Sequence, residues 1–129
     1  MMLVPVRVGP SHIHGQGLHA VVPIPAGTPV WRFEAGFDRA FDDASVDALP
    51  SVTAAHVRWF SFRDGPRGPW ILSGDHACFM NHDPHPNTGA PPGSGEPIVT
   101  VALRDIAAGE EITCDYLAFD GDAPRKLGS

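Results

Sequence analysis

Ten residues concentrate most of the chemistry this chain can offer: Phe79-Met80-Asn81-His82-Asp83-Pro84-His85-Pro86-Asn87-Thr88. Two amides, two imidazoles and a carboxylate follow directly on an apolar pair. Two prolines in three positions rule out a helix or an inner strand there. The stretch therefore reads as a stiff polar loop hung on a short apolar anchor, and loops of this kind often carry function. Two other pieces invite a chemical reading. Gly15-Gln16-Gly17 could bring backbone amides up to a carboxylate or phosphate. Cys114-Asp115-Tyr116 places a thiol, a carboxylate and the only tyrosine of the chain side by side.

Each piece has competing readings. His76, Cys78, His82 and His85 supply metal-type ligands within ten residues, close to but not matching common zinc spacings. Asp75 or Asp83 could orient such a histidine. Against zinc, Cys78 lies between Ala77 and Phe79, where a small buried thiol is ordinary. The Gly-x-Gly could be a plain turn. A dinucleotide fingerprint would need a helix straight after it, and Val21, Val22, Pro23 and Pro25 exclude one. Cys114 alternates with Ile112 and Tyr116, so it is expected to face what they face, as a packed thiol rather than a nucleophile.

The elements that position these groups read as short strands. Fourteen Gly and fourteen Pro in 129 residues exclude a helical bundle and suit strands joined by tight turns. Strands are expected over residues 3–8, 18–22, 29–34, 70–72, 97–104 and 112–116, with one helical turn near 77–81. Residues 36–69 read as an insert with one or two short helices broken at Pro50. A mobile loop is expected over 90–95, and a tail that frays from Leu117, flexible over about 120–129. One seven-residue wording occurs twice: Ile24-x-Ala26-Gly27-x-x-Val30 and Ile106-x-Ala108-Gly109-x-x-Ile112. It predicts a repeated tight connection with Gly at positive φ.

Composition limits the function classes. Hydrophobic residues make up 43% and charged residues 19%, a globular balance with room for one core. A net charge of −6 argues against direct nucleic-acid binding and accords with a basic protein or peptide partner. No apolar run is long enough for a membrane span. The start does not resemble a signal peptide, so a cytoplasmic protein with free thiols is the expectation.

Taken in order, the three pieces resemble the SET domain family of protein lysine methyltransferases. The resemblance rests on His14-Gly15-x-Gly17-Leu18-x-Ala20, on Phe79-Met80-Asn81-His82 followed by Pro86-Asn87, and on Ala108-Gly109-Glu110-Glu111-Ile112-Thr113-x-Asp115-Tyr116. It covers about residues 3–120, with 36–69 in the place of the family's variable insert. It implies a single SET-like domain over 1–129, in a compact form such as bacteria use. The implied fold is mainly β: a β-clip of small antiparallel sheets, a knot-like C-terminal crossing and a short helical insert.

The resemblance also implies a function. The chain would be a methyltransferase that uses S-adenosylmethionine on a protein lysine side chain. Gly15, Gln16 and Gly17 would hold the methionine end of the cofactor. Asn81 and His82 would grip its amino group and adenine. Tyr116 would be catalytic, with Cys114 and Phe119 in the substrate channel. Three departures from the family pattern accompany these matches. Cys114 stands where Phe or Tyr usually sets how many methyl groups fit. Cys78 stands where Arg is common, and Asp83 where Ser is common. Only about a dozen residues follow Tyr116, without cysteine, so Phe119, the insert or a second subunit of a homodimer would complete the channel. The alternatives are a non-catalytic SET-like module that binds cofactor or peptide, and a small zinc-binding interaction domain.

Overall fold

The computed structural model describes residues 1–91 and 99–127. Its elements in chain order are β1 (Val6–Pro10), β2 (Gln16–Ala20), β3 (Pro29–Arg32), β4 (Arg39–Phe41), α1 (Asp43–Asp47), α2 (Ser51–Phe60), β5 (Phe62–Arg63) and β6 (Trp70–Leu72). A 3-10 turn over His76–Phe79 follows, then β7 (Asn81–His82), β8 (Thr88–Gly89), β9 (Val99–Ala102), β10 (Glu111–Cys114), α3 (Tyr116–Phe119) and α4 (Ala123–Lys126). They form three small sheets, ordered β1-β2-β10-β7, β3-β9-β8 and β4-β6-β5. This is the expected mainly β architecture with a short helical insert. Among the described residues no helix is long and apolar enough to cross a membrane.

The two copies of Ile-x-Ala-Gly hold the first two sheets together. Ile24 and Ile106 pair with each other through both backbone bonds, each 2.8 Å. Gly27 N–H donates to Ala102 O, and Gly109 N–H donates to Ala20 O, both at 2.7 Å. In return Ala102 N–H donates to Thr28 O and Ala20 N–H to Glu110 O. Each loop thus clamps the alanine that ends the strand leading into the other loop. Both glycines sit at φ +85°, where a Cβ is disfavoured. The paired isoleucines, with Leu18, Ala20, Val30, Ala102 and Ile112, form the main core. By the usual area relation, each fully buried Ile or Leu contributes about 1.5–3 kcal/mol.

The insert has its own small core of Val46, Ala54, Val57 and Trp70. Asp42 caps α1 by accepting from Ser45 N–H at 2.7 Å, and Pro50 separates the two helices. Strands β4 and β5 have no counterpart in the sequence reading. Three and two residues are too few to show a period of two.

Element boundaries differ from expectation for identifiable reasons. The first strand begins at Val6 rather than Leu3, because Leu3 N–H bonds Val30 O and Met2 bridges Trp31 before Pro5 interrupts. The last strand stops at Cys114 rather than Tyr116. Asp115 caps the next turn by accepting from Leu117 N–H at 3.0 Å. Where the sequence reading expects a tail, the chain forms α3 and α4, and Asp120 between them is buried and pairs with Asp64 in an isolated β-bridge. The loop expected over 90–95 lies mostly outside the described residues.

Candidate active site

β10 is the chain's crossing point. It pairs antiparallel with β2 (Ile112 with Leu18) and parallel with β7 (Thr113 with Asn81, Cys114 with His82). Asn87 braces it from the polar loop. Its Oδ1 accepts from Thr113 N–H at 2.8 Å, and its Nδ2 donates to Glu111 O at 2.8 Å. The carboxamide thus substitutes for a strand beside Ile112. Thr88 adds its hydroxyl, donating to Thr113 O at 2.6 Å. Asn87 and Thr88 are buried, so these bonds are shielded from water. Within the loop, Asp83 Oδ1 accepts from His85 N–H at 2.8 Å, which stiffens the turn. That gives Asp83 a structural role; His85 is exposed.

The crossing sets Asn81 under the glycine turn. Asn81 Nδ2 lies within hydrogen-bonding distance of His14 O (3.1 Å), Gln16 O (3.0 Å), Ser11 Oγ (3.1 Å) and Glu111 Oε2 (3.0 Å). Ser11 Oγ also donates to Glu111, and Gly15 O accepts from Ser11 N–H. Gly15 sits at φ +47°. A Cβ at Gly17 would come within 2.6 Å of Glu111 Oε2. The turn is therefore shaped by close packing, and residues 12–16 are exposed on its outer side. Sequence reasoning named Gly15, Gln16, Gly17 and Asn81, and the structure brings all four together. It missed Ser11 and the inward role of Glu111. The only hint was that Glu111 belongs to the Gly-Glu-Glu wording.

His82 lies next in β7. Its Nδ1 accepts from Tyr116 N–H at 3.0 Å and is 3.5 Å from Asp115 Oδ1. Asp83 N–H donates to Cys114 O, so in this parallel register the His82 N–H and C=O turn to the outward edge of the sheet. The zinc reading loses its ligands here. His82 Nδ1 is engaged by the backbone, and among the described residues no three His, Cys, Asp or Glu gather as a metal site.

Tyr116 stands between two environments. Its ring lies 5.5 Å from the His82 ring. Its hydroxyl donates to Met80 O at 2.7 Å. On its other side opens a cavity of about 440 Å³. Trp31, Trp59, Phe60 and Phe62 form much of its apolar wall, and Asp64, Asp115 and Asp120 also line it. Cys114 and Cys78 both face the cavity. Burial pushes both thiols up, Cys114 far beyond its ordinary range, so both stay protonated and Cys114 is a packed thiol. Burial likewise holds the Tyr116 phenol well above its ordinary value of 10.0. It is therefore a hydrogen-bond donor and not a base at working pH. Phe119 ends α3, one turn beyond Tyr116.

A small β-clip with a braced crossing, an exposed glycine turn and a tyrosine at an apolar cavity defines the architecture of the SET methyltransferases. The SET domain family model matches residues 15–117, and the chain belongs to that family. It is 30% identical over 114 residues to the histone-lysine N-methyltransferase trithorax of Drosophila virilis. That match covers 86% of this chain but spans only 3% of the relative. The fold is similar to the Neurospora SET domain protein DIM-5, a histone lysine methyltransferase. The TM-score is 0.59 at 21% identity, covering 89% of this chain and 53% of that one. It is also similar to a humanized mutant of the Chaetomium thermophilum Polycomb Repressive Complex 2 bound to an inhibitor. There the TM-score is 0.62 at 24% identity, over 95% of this chain and 16% of that one.

Proposed function

We propose that the chain is an S-adenosylmethionine-dependent methyltransferase that acts on a lysine side chain of a basic protein segment. The observation that carries this reading is the position of Tyr116: its ring packs on His82, the residue after Asn81 that holds the glycine turn, and its hydroxyl lies on Met80 O at the cavity wall. The residues around the turn fit the cofactor. The carbonyls of His14 and Gln16 and the carboxylate of Glu111 gather around Asn81 Nδ2, an acceptor-rich setting that would suit the cofactor's ammonium. The outward edge of β7 at His82 offers a backbone donor and acceptor for adenine. When bound, the cofactor supplies a methyl group on sulfur for in-line displacement by an amine.

The chain's own groups prepare that displacement. The apolar walls disfavour a charged amine relative to a neutral one, which frees the lone pair it needs. Tyr116, fixed as a neutral donor on Met80 O, orients the reacting groups and stabilises polarisation at the methyl carbon. Asp64, Asp115 and Asp120 complement a basic segment at the cavity. Cys114 is smaller than the aromatic usual at its position and leaves room for a methylated amine to return.

Titration calorimetry with S-adenosylmethionine and transfer of a labelled methyl group to lysate proteins test this directly. Tyr116→Phe is expected to lower transfer about 10²–10³-fold with cofactor affinity nearly unchanged. Full transfer by that variant would show that another group does the work. Cofactor binding without transfer by the natural sequence would instead favour a SET-like binding module. Cys114→Phe is expected to shift products toward fewer methyl groups per lysine, read by mass spectrometry.

A further inference from the structure

The single lysine of the chain, Lys126, reaches back from α4 into the wall of the same cavity that Tyr116 and Cys114 line. Its Nζ donates to Ser61 O and to Asp120 Oδ2, the latter at 2.8 Å. The two side chains are only 11% and 1% exposed, which makes this the most buried ion pair among the described residues. Pairs such as Arg58–Asp47 and Arg104–Glu110 are far more open to water. Burying an ammonium is costly unless acceptors are already in place. Here they are. Asp120 Oδ1 accepts from Arg63 N–H and Asp122 N–H, both at 2.9 Å, so the carboxylate is oriented without help from Lys126. Ser61 is buried at the junction of α2 and β5, and its carbonyl points at the same ammonium.

We propose that Ser61 O and Asp120 form an ammonium site in the substrate cavity, and that Lys126 occupies it in cis as a pseudosubstrate that a basic peptide must displace. The proposal rests on the reading of this cavity as the place where a substrate lysine enters. Lys126 Nζ is committed to Ser61 O and the Asp120 carboxylate, so it blocks the cavity without being consumed. Residues 116–127 carry both the tyrosine and the blocking lysine, and peptide entry is coupled to movement of α4.

The test is binding of a fluorescent peptide rich in Lys and Arg to the full chain, followed by anisotropy, which needs no turnover. If the tail fills the site nine-tenths of the time, Lys126→Met tightens binding about tenfold. Lys126→Arg, which keeps a cation on Asp120, stays near the natural affinity. Unchanged or weaker binding by a Lys126→Met protein with an unaltered melting temperature overturns the proposal and makes Lys126 a brace. Should that variant fail to fold, acylation of Lys126 in the natural protein gives a second readout. Peptide addition is expected to speed its labelling, and an unchanged rate overturns the proposal. Intact-mass analysis with S-adenosylmethionine that finds a methyl group on Lys126 also overturns it, since Lys126 would then be a substrate. If every form binds the peptide alike, the cavity reading stands and the pseudosubstrate falls. If no form binds peptide or transfers methyl, both fall.

Discussion

The two Ile-x-Ala-Gly loops share one backbone design and have different consequences. Both put Gly at φ +85°, both pair their isoleucines, and each clamps the other's incoming strand. They diverge at the next two residues. After Gly27 come Thr28 and Pro29, and the Thr28 hydroxyl bonds back to Pro25 O within its own loop. After Gly109 come Glu110 and Glu111. Glu110 accepts from Ala107 N–H, Arg104 and Asn87, and Glu111 reaches Ser11 and Asn81 beneath the glycine turn. The symmetric part of the molecule is made by backbone groups that any sequence with the right turn residues could use. The site is made where side chains break that symmetry.

The brace on β10 is the strongest asymmetric feature. Asn87→Ala leaves Thr113 N–H and Glu111 O without their partner in a buried setting. It is expected to cost about 3 kcal/mol, seen as a melting temperature lower by roughly 10 °C. Thr28→Ala at the first loop is expected to cost under about 1 kcal/mol. Equal losses would mean that the brace contributes no more than an exposed turn.

The glycines probe the shared part. No atom lies within 4 Å of a Cβ built on Gly27 or Gly109, so alanine meets only the positive-φ penalty. Gly27→Ala and Gly109→Ala are each expected to cost about 1–2 kcal/mol in chemical denaturation. A difference beyond about 1 kcal/mol would break the symmetry argument.

Glu111→Gln separates stability from binding. It keeps the shape but removes the charge facing Asn81 and Ser11. S-adenosylmethionine affinity is expected to fall about tenfold, with little change in melting temperature. Unchanged affinity would move the cofactor reading away from this turn.

The smallest effect is on acid stability. Burial alone would raise the Glu110 carboxyl, but Ala107 N–H, Arg104 and Asn87 together hold it below its ordinary 4.5. A depressed folded value means that Glu110 adds stability above pH 4.5, which is lost as pH falls through the lower folded value. Its partly open setting keeps this below about 1 kcal/mol. Glu110→Gln should flatten that part of the stability–pH curve, whereas Thr28→Ala should leave its shape alone.

Much of this was legible along the chain because it is local. A glycine turn, a proline-stiffened loop and a repeated Ile-x-Ala-Gly wording each state a backbone requirement within a few residues. Their order was enough to place Gly15, Gln16, Gly17, Asn81, His82 and Tyr116 in one family pattern. The two-residue strands escaped notice because so short a segment has no period. The zinc reading of His76, Cys78, His82 and His85 came from counting ligands along the chain, when spacing in the fold is what matters.

By itself, then, the sequence determined the turns, the stiff loop, the core faces of the longer strands and the candidate chemistry. Only the tertiary structure decided that Asn87 would replace a strand beside β10, that Asn81 would lie beneath a turn 65 residues away, and that Lys126 would return to Ser61. A polar side chain can bond any backbone group it meets. Which one it meets depends on how the closed core carries distant segments together, and no local pattern records that.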